Sequence, residues 1–304
     1  MRASRWALLS LALAAQAAAL AAASGPQASA ASWLDMGIGA RALGMGGAVA
    51  SIVDDPSAVW WNPAGLSRMA AKENSHEITL DGNLLSENRQ LDHLGYAYRK
   101  DGVGTLGLGL TQFGLTGLEG YDANGLSTGS FDDLGLALSV AWASEVSWHL
   151  RYGVALRALH EQLSSESSWG YAADLGILVL PFEGSPAALA LTAQNLASTV
   201  NWSTGSAEQA APTLRLGLSD RPFQDYLTLS ADVEAGVTAG TFIPHLGAEL
   251  WPRWDWAFRT GWQPGQGFSG GLSWKVSYYE FDYGFAWDPL GLGQRQEASV
   301  ALKL

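Results

Sequence analysis

From about Ser75 to Leu304 the chain alternates, one residue apolar and the next small or polar, in one short segment after another. In Leu134 to Trp142 one side carries Leu134, Leu136, Leu138, Val140 and Trp142, and the other carries Gly135, Ala137, Ser139 and Ala141. Gly104 to Thr111 sets Leu106, Leu108 and Leu110 opposite Thr105, Gly107, Gly109 and Thr111. A period of two is the signature of a strand whose two faces meet different surroundings. The pattern predicts strands at 76–85, 92–99, 103–114, 131–143, 147–161, 171–182, 187–195, 213–219, 226–236, 242–251, 254–262, 268–274, 276–286 and 295–304. About fourteen strands is an even number, and many have the length needed to cross a bilayer at a tilt.

Composition narrows the choice of all-β fold. Apolar residues make up 48% of the chain and charged residues 15%, yet mean hydropathy is only +0.05. Beyond the first thirty residues no stretch approaches eighteen continuous apolar positions, which argues against membrane-spanning helices. A barrel whose strands alternate between lipid and lumen averages to this middling value.

Connection lengths add an independent sign. Alternate turns are short: Lys100 to Gly102, Ser144 to Val146, Glu183 to Pro186, Asp220 to Asp225, Pro252-Arg253 and Lys275. Most of the intervening ones are long, namely Leu115 to Ser130, Gln162 to Gly170, Leu196 to Pro212 and Trp287 to Gln294. Short periplasmic turns and long outer loops are the asymmetry of outer-membrane barrels. Trp142, Trp148, Trp251, Trp254 and Trp274 flank the short turns, where an aromatic girdle would meet the membrane interface. These features predict a transmembrane antiparallel β-barrel spanning 76–304.

The first thirty residues have the form of a secretory leader. Arg2 and Arg5 precede an apolar run from Ala7 to Ala23, and Ala28-Ser29-Ala30 is an A-x-A cleavage box. The expectation is a signal peptide over 1–30, a mature chain from Ala31 and residence in the outer membrane. Net charge is −12 for the whole chain, and removing a leader with two Arg and no acid takes it to about −14. That balance excludes a nucleic-acid partner, which requires a basic footprint. With no cysteine there is no disulfide framework and no thiolate metal site.

Residues 31–75 do not alternate. Asp55-Pro56 and Asn62-Pro63 each place a capping side chain before a proline, and Gly44, Gly46 and Gly47 permit tight packing or positive φ. A piece this small cannot form its own core, so it must dock, and the barrel interior is the available shelter. The expectation is an N-terminal hatch, or plug.

The run Gly37 to Ala48, reading GIGARALGMGGA, followed by Asp54 to Leu66, reading DDPSAVWWNPAGL, resembles the N-terminal signature of the PorV/PorQ family of outer-membrane barrels. Through Asn62-Pro63-Ala64 it more distantly resembles the hatch of FadL-type transporters of hydrophobic compounds. Gln194-Asn195-Leu196, Leu214 to Gly217 and His245 to Glu249 extend the likeness, while the terminal Leu304 departs from the aromatic residue that commonly ends such barrels. The first resemblance implies a non-enzymatic accessory to protein secretion of the type IX kind, with exported cargo or secretion-system proteins as partners. The second implies a passive conduit for a hydrophobic ligand gated by the hatch. Both place the barrel among outer-membrane lipid and imply no cofactor. The hatch residues are Arg41, Gly44, Gly46, Gly47, Asp54, Asp55, Asn62, Pro63 and Ala64.

The inner faces of the strands carry a second set: Arg151, Arg157, Asp232, Glu234, Glu249, Arg259, Glu280 and Asp282, with His149 beside them. Charges facing a lumen can pair with one another or with a plug. Gly37 to Gly47 lacks the Lys-Ser/Thr and the βαβ context of a phosphate loop. Asp54-Asp55 reads as turn and cap more simply than as a calcium or acid/base pair. The five histidines show no metal spacing, and Ser147 and His149 share a face that points away from lipid. Nothing in these patterns favours an enzyme or a metal.

Overall fold

The computed structural model describes residues 31–69, 75–85, 88–223, 226–287 and 294–304; the expected leader lies outside them. Fifteen strands follow a largely irregular N-terminal segment. They are β1 (Ser75–Leu84), β2 (Arg89–Lys100), β3 (Gly104–Tyr121), β4 (Ser127–Ser147), β5 (Leu150–Leu163), β6 (Glu166–Val179), β7 (Ala188–Trp202) and the two-residue β8 (Ala207–Glu208). Then come β9 (Thr213–Asp220), β10 (Leu227–Gly236), β11 (Thr241–Arg253), β12 (Trp256–Gln263), β13 (Gly267–Val276), β14 (Tyr279–Trp287) and β15 (Gln294–Lys303).

Sequence neighbours pair antiparallel, β7 pairs β9 past the small β8, and β1 pairs β15. The ring therefore closes with fourteen strands. Closure matters because an open edge would leave a row of unpaired N–H and C=O groups, which hydrocarbon cannot satisfy. The outer face carries the apolar residues that the alternation assigns to it: Leu106, Leu108 and Leu110 on β3, Leu136, Leu138 and Val140 on β4, and Leu156 on β5 are all exposed. Their in-between neighbours Thr105, Ala137, Ser139, Ala141 and Arg157 are buried on the inside.

The predicted strands are present, but their ends move: the short turns expected at Ser144 to Val146, Pro252-Arg253 and Lys275 lie within β4, β11 and β13, and the turns fall at 148–149, 254–255 and 277–278. The connection expected over Leu115 to Ser130 is mostly strand, because β3 and β4 run on as a paired hairpin to a turn at Asp122 to Leu126. The connections expected over 162–170 and 196–212 likewise shrink as β5, β6 and β7 extend. The reason is physical. Past the apolar belt both faces of these strands meet water, so Gly, Ser, Asp and Thr replace the alternation and the strand loses its sequence signature. The barrel wall is consequently tall from β3 to β7 and low from β9 to β15.

The aromatic positions near the short turns face outward. Trp142 donates its indole N–H to Val103 O at 3.3 Å, Lys275 sits over the Trp251 ring at 3.8 Å, and Trp256 stacks on Trp274. Trp254 is 78% exposed at a turn tip. No helix among the described residues is long and apolar enough to cross a membrane.

A charge on the belt should therefore be costly and one above it should not. Leu156→Arg, near the middle of β5, should lower unfolding stability in lipid by about 2–4 kcal/mol. Leu126→Arg in the exposed hairpin turn should change it little. Urea titration of the barrel in vesicles measures both.

Candidate functional site

Residues 31–69 form short turns: Ser32–Met36 as a 3-10 turn, α1 (Ala40–Gly44), α2 (Ala58–Trp61) and a second 3-10 turn at Pro63–Arg68. Two local devices from the sequence shape it. Asn62 accepts from Ala64 N at 3.1 Å and starts the second 3-10 turn, with Pro63 at its first position. Asp55 accepts from Ser57 N at 2.8 Å, one residue ahead of α2. The expected cap at Asp55 is thus a turn that leads into the helix rather than its N-cap, which is Ser57.

The segment lies in the bore. Its apolar side chains Trp33, Ile38, Val59, Trp60, Leu66 and Met69 form one buried cluster with Leu91, Phe113, Leu159 and Val200 of the wall. Where it runs close to a strand, the strand offers glycine. A Cβ at Gly107 would stand 2.6 Å from Val59, and at Gly284 2.5 Å from Ala40 O. Cβ atoms at Gly153, Gly176 and Gly261 would meet Pro63, Asn62 and Gly46 closer still. In return, Gly46 and Gly47 adopt φ of 62° and 77° where the segment touches β11 and β12. Only glycine combines that conformation with such an approach.

Its backbone groups bond to inward side chains. Glu297 and Ser299 on β15 accept from Gly39 N and Ala40 N, and Arg295 donates to Met36 O and Gly37 O. Asp232 accepts from Ala50 N at 2.9 Å, and Arg215 donates to Gly47 O at 2.8 Å. His245 bonds Gly46 O at 2.9 Å, Gln194 donates to Trp60 O at 2.7 Å, and Arg99 donates to Ser67 O at 2.7 Å. Inside the segment, Asn62 Nδ2 donates to Ala50 O at 2.8 Å.

Arg41 is the main charged link. Its guanidinium grips Glu249 through Nε and Nη2 at 3.0 and 3.1 Å and reaches Asp54 at 2.7 Å. Glu249 also takes Arg259 at 2.6 Å, and Arg259 takes Asp282 at 2.7 Å. The two adjacent acids behave oppositely. Burial pushes the Asp54 carboxyl up, but Arg41, Arg68 and Lys303 outweigh it and hold it at about 2. Burial pushes Asp55 up and prevails, because Arg41 spends its direct contact on Asp54.

The remaining residues of the sequence-derived charge set fall in three places. Asp232 and Glu234 surround Arg215, at 3.7 Å and in direct contact respectively. Arg157 pairs with Asp174 at 2.7 Å and lies over the Trp60 ring at 4.9 Å. Glu280 pairs with Lys303 at 2.9 Å, whereas Arg151 stands apart at the rim with Glu145 at 3.2 Å. His149 is in an exposed turn, bonded to Ser147 at 3.0 Å. Sequence reading missed Asp174, Arg215, Arg295 and Glu297. Carrying the inner-face parity through every strand finds Glu297 and Arg215, but their partners depend on register.

Polar and apolar linings segregate. The buried wall from β2 to β7 presents mostly Leu, Phe, Val, Ala and Gly, with Arg157 and Asp174 as its buried charges, while β9 to β15 and β1 present most of the charged residues. Among the described residues, voids of about 40 Å³ beside Asp55, Glu77, Asp81 and Lys303 and about 20 Å³ between Trp60, Trp61, Arg157 and Arg215 lie against the segment. Each has room for about one or two waters, against roughly 150 Å³ for a cavity that takes benzene. The bore is shut. No group of acids and histidines among the described residues is arranged to hold a metal ion.

No family model matches the chain, and no curated protein matches it by sequence. Solved structures do. The Ralstonia pickettii toluene transporter TbuX matches with a TM-score of 0.60 at 17% identity, over 88% of this chain and 97% of that one. The Pseudomonas putida toluene transporter TodX gives 0.64 at 14% identity, over 88% and 98%. A Pseudomonas aeruginosa FadL homologue gives 0.55 at 10% identity, over 87% and 97%. The likeness is one of fold.

Two outcomes follow from the packing. Gly261→Val should unseat the segment, exposing it to protease in the folded barrel and costing about 1–3 kcal/mol by overpacking. Gly114→Ala, whose Cβ would lie 3.8 Å from Leu134, should do neither. Limited proteolysis with urea titration measures both. Because Asp54 is held below its ordinary 3.8, its contribution is complete above that pH and is lost as pH falls through about 2. Asp54→Asn should therefore flatten the acid side of the protease-protection profile.

Proposed function

We propose that the chain is a passive outer-membrane channel for small hydrophobic molecules, exported by a cleaved leader over 1–30, in which residues 31–69 are a hatch that the permeant displaces. The observation that carries this reading is the way the bore is sealed. The hatch adds no strand to the sheet; it is held by side-chain contacts on the charged wall and by apolar packing on the other. Its Trp33, Val59 and Leu66 occupy the place along β2 to β7 that an apolar guest would take. The voids left around it are too small for even a benzene-sized guest, so passage requires the hatch to shift.

The fold-level neighbours named as toluene transporters support an aromatic hydrocarbon as the class of permeant. The channel needs no covalent chemistry and no cofactor. Arg41, Gly44, Gly46, Gly47, Asp54, Asp55, Asn62, Pro63 and Ala64 seat the hatch, and Glu249, Arg259 and Asp282 hold its charged side. The other reading, a PorV/PorQ-like accessory that binds secreted cargo, rests on the N-terminal motif and the downstream matches at Gln194 to Leu196, Leu214 to Gly217 and His245 to Glu249, and none of the structures named above supports it.

The readings separate in one experiment. Asn62 holds Ala50 O and Ala64 N inside the hatch, and losing a buried hydrogen-bonding partner costs about 1–3 kcal/mol. Asn62→Ala or Pro63→Ala should change the uptake of radiolabelled toluene into cells several-fold while the barrel still shifts on an unboiled gel. Mild extraction should bring down a lipid-like or aromatic ligand. Uptake unchanged by either substitution, with secretion proteins in the extract, would replace the channel reading with the cargo one.

A further inference from the structure

On the inner wall near the mouth, two acids stand together without a base. Asp133 on β4 and Glu161 on β5 are diagonal neighbours, since Glu161 lies directly opposite Gly135 in the ladder. Their carboxyls interact with each other, and Glu208 adds a third negative charge. Each of the two keeps a buried oxygen for which no described residue provides a formed hydrogen bond. The groups acting most strongly on Glu161 are Asp133, Trp33, Glu208 and Ala31, none of them Lys or Arg. Most other buried carboxylates on the inner wall are answered by a guanidinium, an ammonium or a backbone N–H, as at Asp174, Asp232, Glu249 and Glu297; Asp81, beside Ser299 and Glu297, is not.

What faces this pair is the start of the hatch. Trp33 is 2% exposed, stacks on Phe113 at 6.0 Å and turns its indole N–H toward Glu161 without completing a hydrogen bond. The backbone N–H of Ala31 also points at Glu161. Ala31 is 6% exposed, and its carbonyl is fixed by Leu34 N at 2.9 Å. Its φ is +52°, a value that costs an alanine a clash between Cβ and the preceding carbonyl. A residue with no preceding carbonyl has no such clash. Ala31 is also the residue that follows the A-x-A box Ala28-Ser29-Ala30.

We infer that Asp133 and Glu161 form a binding site for the chain's own processed N-terminus. Cleavage after Ala30 turns the Ala31 amide into an α-ammonium with two further donors. It then sits as the missing cation between the two carboxylates, pinning the end of the hatch over the apolar half of the bore. The uncleaved chain has one N–H at that point and no charge, so the site fills only after maturation. This inference is independent of what the channel carries.

The test is chemical. Purified, folded protein is labelled with an aldehyde reagent selective for α-amines, beside a boiled sample, and its first residue is read by intact mass and N-terminal sequencing. The expected first residue is Ala31, with labelling in the folded protein at least about tenfold slower than in the boiled one, ~1.4 kcal/mol of protection. Glu161→Gln and Asp133→Asn should raise the folded rate toward the boiled rate, while Glu161→Asp, which keeps the charge, should retain protection. Folding of each variant is checked by the unboiled gel shift. A first residue other than Ala31 overturns the inference. So does equal labelling of folded and boiled wild-type protein, or protection that survives in Glu161→Gln and Asp133→Asn alike.

Discussion

A stretch of chain with little regular structure, enclosed in a closed barrel, must find partners for its backbone N–H and C=O groups, and the rest of the molecule is arranged around that need. Buried backbone groups are almost never left unpaired. Some of these groups pair within the segment's own turns, as Leu43 N does with Gly39 O and Val53 N with Val49 O; the strands have spent their backbone on the ring, so the others turn to side chains. That explains why Glu297, Ser299, Asp232, Arg215, His245 and Gln194 each reach a main-chain atom of the inner segment. It also explains the glycines on the inner wall. A strand close enough for its side chains to bond a neighbour's backbone leaves no room for a Cβ wherever the backbones meet directly.

The same constraint divides the lumen. Polar side chains collect where the segment presents bare backbone, around Gly37 to Ala50, against β9 to β15. Apolar and small residues collect where it presents Trp33, Val59, Trp60 and Leu66, against β2 to β7. Charge pairs in the first half are locked in chains such as Asp54–Arg41–Glu249–Arg259–Asp282. Removing one member leaves the others buried and unbalanced, which costs more than an intact pair contributes.

Much of this was legible in the sequence, for reasons that also mark where legibility ended. The fourteen-strand barrel could be read because lipid and lumen impose opposite chemistry on successive residues, as in Leu134 to Trp142. Where Leu115 to Ser130 leaves the membrane, both faces meet water, and the hairpin could not be told from a loop. Individual charges on inner faces were visible by parity. Their partners were not, because Arg215 meets Glu234 only through the register of β9 against β10. Asn62 announced its cap, but its bond to Ala50 O depends on a fold-back within the segment that no spacing rule encodes. Asp55 was read as a helix cap and proved to sit two residues ahead of the true cap, Ser57.

The attachment of the inner segment has a kinetic consequence. Only five residues separate Met69 from the first residue of β1, Ser75. If displaced, the segment stays tethered at the short-turn end of the barrel, at an effective concentration in the millimolar range typical of short linkers. A molecule that displaced it, as the proposed channel requires, would compete with a binder that never diffuses away. Its return would be unimolecular, at a speed set by chain geometry instead of by abundance.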